Sequence, residues 1–393
     1  MGGHEGVRLR LSVAAALAFA LAALAGAPLA AHGAPGASLA QQARALVGAG
    51  QGVHVEAEDG RVLVSQAAER PVHPASVSKV PTTLALLRTL GPEHRFVTRL
   101  AARGPLEGGV LDGDLVVEAA GDPFFVDENA LLVLLGLREL GLRSVKGDLR
   151  LRGPLLFDWE ETAAAARLRA VLEGKAPPAA WRAVLGAGGA PGGAPRGLLF
   201  RRAGAAAAGP EVLLLTHRSE PLVPLLKALN GYSNNVFAWL ADAAGGIAKV
   251  QALARASVPA PLRPEIVLGD GAGKDRRNRL SPRAAVALLR ALHQEVSSAG
   301  GSLADLLPVA GVDPGTLLHR LDGPGERGSV VAKTGTYGDY GACALAGALR
   351  TRERGVVYFA ILNRGGGDQR GVLRAGGAVR ISARVKAGAG SRR

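Results

Sequence analysis

A serine and a lysine three residues apart, Ser76 and Lys79, mark the first place in this chain where side chains could do chemistry. A helix puts residues three apart on one face, so the amine can reach the hydroxyl. A neutral lysine amine is a base, whereas an arginine guanidinium keeps its proton inside a protein. The chain holds 47 basic residues, of which eight are lysines, so a lysine kept beside a serine runs against its arginine habit. The start of a helix also offers backbone N–H groups and a positive dipole end, which favour a neutral amine and stabilise negative charge at an acylated serine. Alone, such a pair turns up by chance.

Two more segments follow in order. Ser233-Asn234-Asn235 is an S-x-N triplet just ahead of an apolar helical stretch; alone it reads as a helix N-cap, which Ser and Asn favour. Lys333-Thr334-Gly335-Thr336 lies in a strand-like stretch; alone it reads as a charged sheet edge, with Gly335 letting another backbone approach. Together they match the S-x-x-K, S-D-N and K-T-G set of enzymes that acylate a serine, with Asn234 in place of the middle aspartate. Two of the eight lysines fall at the two positions that set requires.

The elements that must carry these residues can be read from periodicity. Helical spacing covers residues 38–47, and residues 53–66 read as a hairpin turning at Asp59-Gly60. A helix is predicted over 77–90, closed by Gly91-Pro92, with Pro81 tolerated in its first turns. Strands are predicted over 96–102, 110–119 and 146–151, and a helix over 129–140. Further helices are predicted over 221–230, 235–243 and 281–292. Three strands at 329–336, 341–350 and 356–363 have short connections, which favour an antiparallel meander. The Gly/Ala/Pro-rich stretches 186–195 and 203–209 are given no structure.

Composition narrows the function classes. Arg8 and Arg10 precede an apolar run from Leu11 to about Leu29 with small residues after it, so residues 1–34 read as a secretory signal peptide. Cleavage there leaves no integral membrane domain, and the location expected is periplasmic or extracytoplasmic. The net charge of +14 suits a nucleic-acid binder or a protein working near anionic polymer, but the basic residues are scattered, and export argues against nucleic acid. Cys343, the only cysteine, reads as a core residue. The histidines show no metal-ligand spacing, so no metal and no cofactor are expected, and His73 belongs to the loop before the Ser76 helix.

The chain resembles the D-alanyl-D-alanine carboxypeptidases/endopeptidases of the peptidase S13 family, the low-molecular-mass class C penicillin-binding proteins. Beyond the three motifs, the likeness rests on Pro74-Ala75-Ser76, LGPEHRF from Leu90 to Phe96, and Leu115-Val116-Val117 running into Gly121-Asp122-Pro123. It continues through Lys146-Gly147-Asp148-Leu149, His217-Arg218-Ser219-Glu220-Pro221-Leu222, and Asp270-Gly271-Ala272-Gly273 with Arg276, Asn278 and Leu280-Ser281-Pro282. The resemblance implies an α+β fold: a penicillin-binding, serine β-lactamase-like domain with an antiparallel sheet flanked by helices. The catalytic domain would be 35–97 with 214–393, and the smaller inserted domain 98–213, its second part reduced.

The resemblance also implies roles. Ser76 is the nucleophile, Lys79 the general base, Ser233 the relay to the leaving amine, and Asn235 the residue that orients Lys79 and the substrate amide. Lys333, Thr334, Gly335 and Thr336 hold the substrate carboxylate, the N–H groups of Ser76 and Thr336 form an oxyanion hole, and Asp122 and Arg276 read a charged substrate end. The partners implied are peptidoglycan stem peptides and β-lactam antibiotics. The family usually carries Gly-Ser-Gly where this chain has Gly271-Ala272-Gly273, and Leu-Ser where it has Lys274-Asp275, so two hydroxyls are missing near the expected site. Two rivals remain: a non-catalytic wall-binding homologue, which those losses keep open, and a serine β-lactamase, which would share the acylation apparatus but which the insert and the lack of an E-x-x-L-N segment argue against.

Overall fold

Five antiparallel strands form the frame, in the order Val330–Tyr337, Ala342–Arg350, Val356–Asn363, Gly52–Ala57 and Val62–Gln66. The structure, a computed structural model, describes residues 38–48, 50–186, 196–201, 209–232, 235–323, 326–337, 341–351 and 355–363. The expected signal segment 1–34, Ser233 and Asn234, most of the two Gly/Ala-rich stretches, and residues 364–393 lie outside the described residues.

The three C-terminal strands pair as a meander, and the early hairpin joins them, with Gly52 opposite Leu362. The strand Ala342–Arg350 is buried on both faces except at Arg350, because both faces of the sheet are covered. On one side Ala344, Ala346 and Leu362 join the main helical core. On the other, Leu345, Phe359 and Cys343 meet Ala43, Val47, Leu317 and Leu321. Burial there pushes the Cys343 thiol up to about 11, so it is a protonated core group.

The helix Lys79–Leu90 lies at the centre of the main core, with every residue from Lys79 to Leu87 buried. A helix that is apolar on all sides needs neighbours all round. Helices Leu222–Gly231, Val236–Ala243, Ile247–Ala256 and Pro282–Ser298 supply them through Leu226, Phe237, Val250 and Leu288. The α-helix begins later than the spacing predicts: Ala75–Ser78 forms a 3-10 turn, and regular helix starts at Lys79. Gly91, at φ +86°, ends it. The helix Pro282–Ser298 runs six residues beyond its expected end, and Ile247–Ala256 was not anticipated at all.

Between Phe96 and Ser219 the chain builds a second core from Leu100, Leu115, Val117, Leu131, Leu134, Phe157 and Leu168. Its four-stranded sheet has the order Glu211–Arg218, Val97–Arg103, Asp114–Ala119 and Leu149–Arg152. The single strand expected over 110–119 is two, Val110–Leu111 and Asp114–Ala119, in different sheets. The break falls at Gly113, where a Cβ would sit 1.8 Å from the Arg103 carbonyl oxygen, so the backbones cross too closely for a side chain. The chain enters and leaves this region side by side, with Ser219 N–H donating to the Phe96 carbonyl and Phe96 N–H to the Ser219 hydroxyl, both at 2.9 Å. Gly121 then lets Trp239 pack directly on its backbone.

Leu84, fully buried in the central helix, and Leu132, 53% exposed on the Asp127–Glu139 helix, make a matched pair. Leu84→Ala should lower the unfolding free energy by about 2–5 kcal/mol. Leu132→Ala should change it by less than about 0.5 kcal/mol. Urea unfolding reads both, and similar losses at the two sites would contradict the placement of the central helix.

Candidate active site

The turn that carries Ser76 is held in an unusual backbone shape. Ala75 has φ +46°, a left-handed conformation that costs a residue with a side chain roughly 1–3 kcal/mol. Two glycines from separate segments press on it. A Cβ at Gly273 would sit 2.0 Å from the Ala75 carbonyl oxygen, and one at Gly335 would sit 2.7 Å from the Pro74 oxygen and 3.0 Å from the Ser76 nitrogen. The Ala75 N–H donates to His73 Nδ1 at 3.2 Å, so that nitrogen is the acceptor and the ring's proton is on Nε2, which faces the Asp275 carbonyl at 3.0 Å. Burial lowers the His73 pKa, which keeps this tautomer neutral. The ring stacks on Tyr337, 5.5 Å between centroids. His73 thus brackets the turn, and its position matches the loop reading.

Lys79 reaches Ser76 as the spacing predicts. Its Nζ lies 2.9 Å from Ser76 Oγ and donates to the Ala272 carbonyl at 2.7 Å. The side chain is 1% exposed and Nζ sits 5.5 Å from the centre of the Phe237 ring. Burial lowers its pKa to about 8; the Asp270 carboxylate opposes that shift and the Lys274 ammonium adds to it. As an ammonium, Lys79 donates to Ser76. Once neutral, it retains a hydrogen for Ala272 and offers its lone pair to the serine proton.

The missing hydroxyl at Ala272 does not remove this contact, because the acceptor is the backbone carbonyl. The loop itself is fixed by Asp270, whose Oδ1 accepts from the Gly273 N–H at 2.7 Å and Asn278 Nδ2 at 2.8 Å, while Asn278 Oδ1 accepts from the Gly269 N–H at 2.8 Å. Thr82 donates to the Gly271 carbonyl at 3.0 Å, tying the loop to the central helix. Lys274 is exposed, and Asp275 pairs with Arg277, whose hydrogen bonds hold its carboxyl down at about 2.

The third motif lies on the edge strand Val330–Tyr337. Residues 308–310 cover the first half of that edge: the Ala310 N–H donates to the Val330 carbonyl at 2.9 Å and the Ala332 N–H to the Pro308 carbonyl at 3.1 Å. From Lys333 onward no strand pairs with this edge among the described residues. Lys333 is 0% exposed, with Nζ donating to the Thr334 carbonyl at 3.2 Å. Burial, then the charge of Lys79, lowers its pKa to about 7. The Thr334 hydroxyl donates to the Thr316 hydroxyl at 2.8 Å.

Ser76, Lys79, Lys333 and Gly335 are therefore brought together, with Thr334 and Thr336 on the same strand. Asn235 is exposed just before the helix Val236–Ala243, and its carbonyl accepts from the Ala238 N–H at 2.9 Å; Ser233 lies outside the described residues. Asp122 is buried in the turn after the strand Asp114–Ala119, where its carboxylate accepts from the Phe124 N–H at 2.8 Å and lies 3.2 Å from His217 Nε2. Arg276 is exposed in the loop after Asp275, its carbonyl accepting from Arg279 at 2.7 Å. Sequence reasoning missed the Ala272 carbonyl and the ring of Phe237, which carry no motif. No group of metal-ligating side chains occurs among the described residues, and no helix among them is long and apolar enough to cross a membrane.

Comparison with known proteins gives concordant findings. A sequence profile described as the D-Ala-D-Ala carboxypeptidase 3 (S13) family matches residues 36–160 and 202–384. A D-alanyl-D-alanine carboxypeptidase, DacB, of Haemophilus influenzae is 35% identical over 75 residues, which span 19% of this chain and 16% of that relative. A predatory peptidoglycan endopeptidase of Bdellovibrio bacteriovorus shares the fold with TM-score 0.70 at 22% identity, over 86% of this chain and 92% of that one. A penicillin-binding protein 4 of Haemophilus influenzae, solved with a bound β-lactam, shares it with TM-score 0.66 at 20% identity, over 88% and 99%.

If Ser76 is acylated by a β-lactam with Lys79 as base and Lys333 holding the carboxylate, the two lowered lysines set a pH profile. Reactivity should rise as Lys79 loses its proton near pH 8, and binding of a carboxylate-bearing ligand should weaken as Lys333 loses its charge above about 7. The second-order acylation rate should therefore peak between about pH 7 and 8, because it reports the groups of the free enzyme. A flat rate from about pH 6 to 9 would contradict the assignment.

Proposed function

The chain belongs to the D-Ala-D-Ala carboxypeptidase 3 (S13) family, and we propose that it is a serine-type D-Ala-D-Ala carboxypeptidase/endopeptidase that cleaves peptidoglycan stem peptides and is acylated by penicillins. The observation that carries this reading is the buried Lys79 amine 2.9 Å from Ser76 Oγ, with a second buried lysine, Lys333, close enough for its charge to matter.

The proposed sequence of events is short. Ser76 Oγ attacks the carbonyl carbon of the penultimate D-alanine while Lys79 takes the hydroxyl proton. The carbonyl oxygen gains negative charge between the N–H groups of Ser76 and Thr336; one such donor lost costs about 3–4 kcal/mol. The peptide C–N bond then breaks, and the amine of the leaving D-alanine takes a proton through Ser233. Asn235 orients Lys79 and the substrate amide. Lys333, with the hydroxyls of Thr334 and Thr336 along the open strand edge, holds the terminal carboxylate. Water cleaves the ester and restores Ser76. No step needs a cofactor.

The same proposal places the catalytic domain at 35–97 and 214–393, with 98–213 as an insert. It takes 1–34 as a signal peptide and the site of action as periplasmic or extracytoplasmic. Asp122, engaged with His217 and Phe124, supports the insert's turn in this reading, and Arg276 remains a candidate reader of a charged substrate end.

Two lysine-to-arginine variants test the division of roles. Lys79→Arg keeps charge but cannot deprotonate, so acylation and D-alanine release from a pentapeptide should fall by about 10²–10⁴-fold. Lys333→Arg keeps the charge that its role requires and should stay within about tenfold of the wild type, losing more on a free-carboxylate peptide than on its amide. Equal losses in the two variants, with no dependence on the carboxylate, would overturn the assignment.

A further inference from the structure

Thr316 is not part of any of the three motifs, yet it is the partner of the K-T-G threonine. Thr334 is 6% exposed and its hydroxyl contacts the Thr316 hydroxyl at 2.8 Å. We infer that Thr316 is a positioning residue that aims the Thr334 hydroxyl at the substrate's terminal carboxylate, an inference that rests on the peptidase reading above.

A hydroxyl has one proton to donate and lone pairs to accept, so two paired threonines can run in either direction. In the structure Thr334 is the donor and Thr316 the acceptor, at 2.8 Å. When a carboxylate arrives at the strand edge, the Thr334 proton turns to it. Thr334 Oγ1 is then left as an acceptor, and the Thr316 hydroxyl rotates to donate to it. The result is a chain of two hydrogen bonds pointing the same way, from Thr316 to Thr334 to the carboxylate, in which each bond polarises the next. No bond to hydrogen breaks; only the two rotors turn.

Thr316 is anchored for this task from two sides. Its N–H donates to the Gly231 carbonyl at 2.9 Å, at the end of the helix that leads to the S-x-N triplet. Gly315, at φ +118°, makes that approach possible, since a Cβ there would lie 2.1 Å from the Gly231 oxygen. One turn earlier, Lys227 Nζ donates to the Ala304 carbonyl at 2.7 Å, to the Leu307 carbonyl at 2.9 Å, and to the Asp313 carboxylate. Asp313 in turn accepts from the Val309 N–H at 2.6 Å. Residues 308–310 then pair with Val330–Ala332, the half of the edge strand next to Lys333. The loop that holds Thr316 is thus fixed to the S-x-N helix at one end and to the K-T-G strand at the other.

The test compares Thr316→Val, which keeps the shape without the hydroxyl, with Thr316→Ser, which keeps the hydroxyl. Each is measured on a free-carboxylate pentapeptide and on its C-terminal amide, with thermal melting as a control. Thr316→Val should raise KM for the free acid roughly tenfold, the usual scale of a hydrogen bond to a charged group, and change the amide by less than about twofold. Thr316→Ser should behave as the wild type, and Thr316→Val should add nothing in a Thr334→Val background. Should Thr316→Val fail to fold, Thr316→Ala against Thr316→Ser on the same two peptides carries the same contrast. Equal losses on acid and amide, failure of Thr316→Ser to retain function, or additivity with Thr334→Val would overturn the inference. A wild-type protein that forms no acyl-enzyme with penicillin would instead overturn the peptidase reading, and the inference with it.

Discussion

The structure is organised around keeping one amine, that of Lys79, away from water. The side chain is 1% exposed, and burial is the largest cause of its lowered pKa. Burial of an ionisable group is unfavourable unless its hydrogens find partners. Ser76 Oγ and the Ala272 carbonyl supply them, and the Phe237 face lies nearby. A helix packed on every side places the lysine this deep, and the preceding turn Ala75–Ser78 is buried with it. The helices around Lys79–Leu90 serve that end, and their apolar contacts offset the cost of the buried amine.

A second constraint follows from the first. The serine sits just before the same helix, and its backbone also lies against Gly335 of the edge strand. The chain meets this with a 3-10 turn and a left-handed Ala75, held by backbone packing against Gly273 and Gly335. Strain of this kind persists where the surroundings over-determine it. Two glycines from distant segments converging on one peptide also explain why the loop at residue 273 and the strand at residue 335 are fixed relative to Ser76.

The local part of this arrangement was legible in the sequence and the non-local part was not. Ser76 and Lys79 could be paired because three-residue spacing fixes their geometry within one helical turn, and the C-terminal meander because its connections are short. The Ala272 carbonyl could not be found, because a backbone acceptor is the same at every residue type. The helix Ile247–Ala256 was missed although Ile247, Val250 and Ala254 keep helical spacing, because it is short and only Val250 and Ala254 are buried. The strand Glu211–Arg218 escaped because its burial does not alternate cleanly. The strand expected over 110–119 divides at Gly113 because the Arg103 backbone crosses it there, a contact between segments that local pattern does not encode.

The central claim is that Ser76 is the nucleophile this whole arrangement prepares, and covalent labelling tests it most directly. Wild-type protein and Ser76→Ala would each be incubated with penicillin, digested, and mapped by mass spectrometry. The account predicts one added penicillin mass on the wild type, located on the peptide containing Ser76, and none on the variant. A label that persists in Ser76→Ala, or that maps to another residue of the wild type, would contradict it.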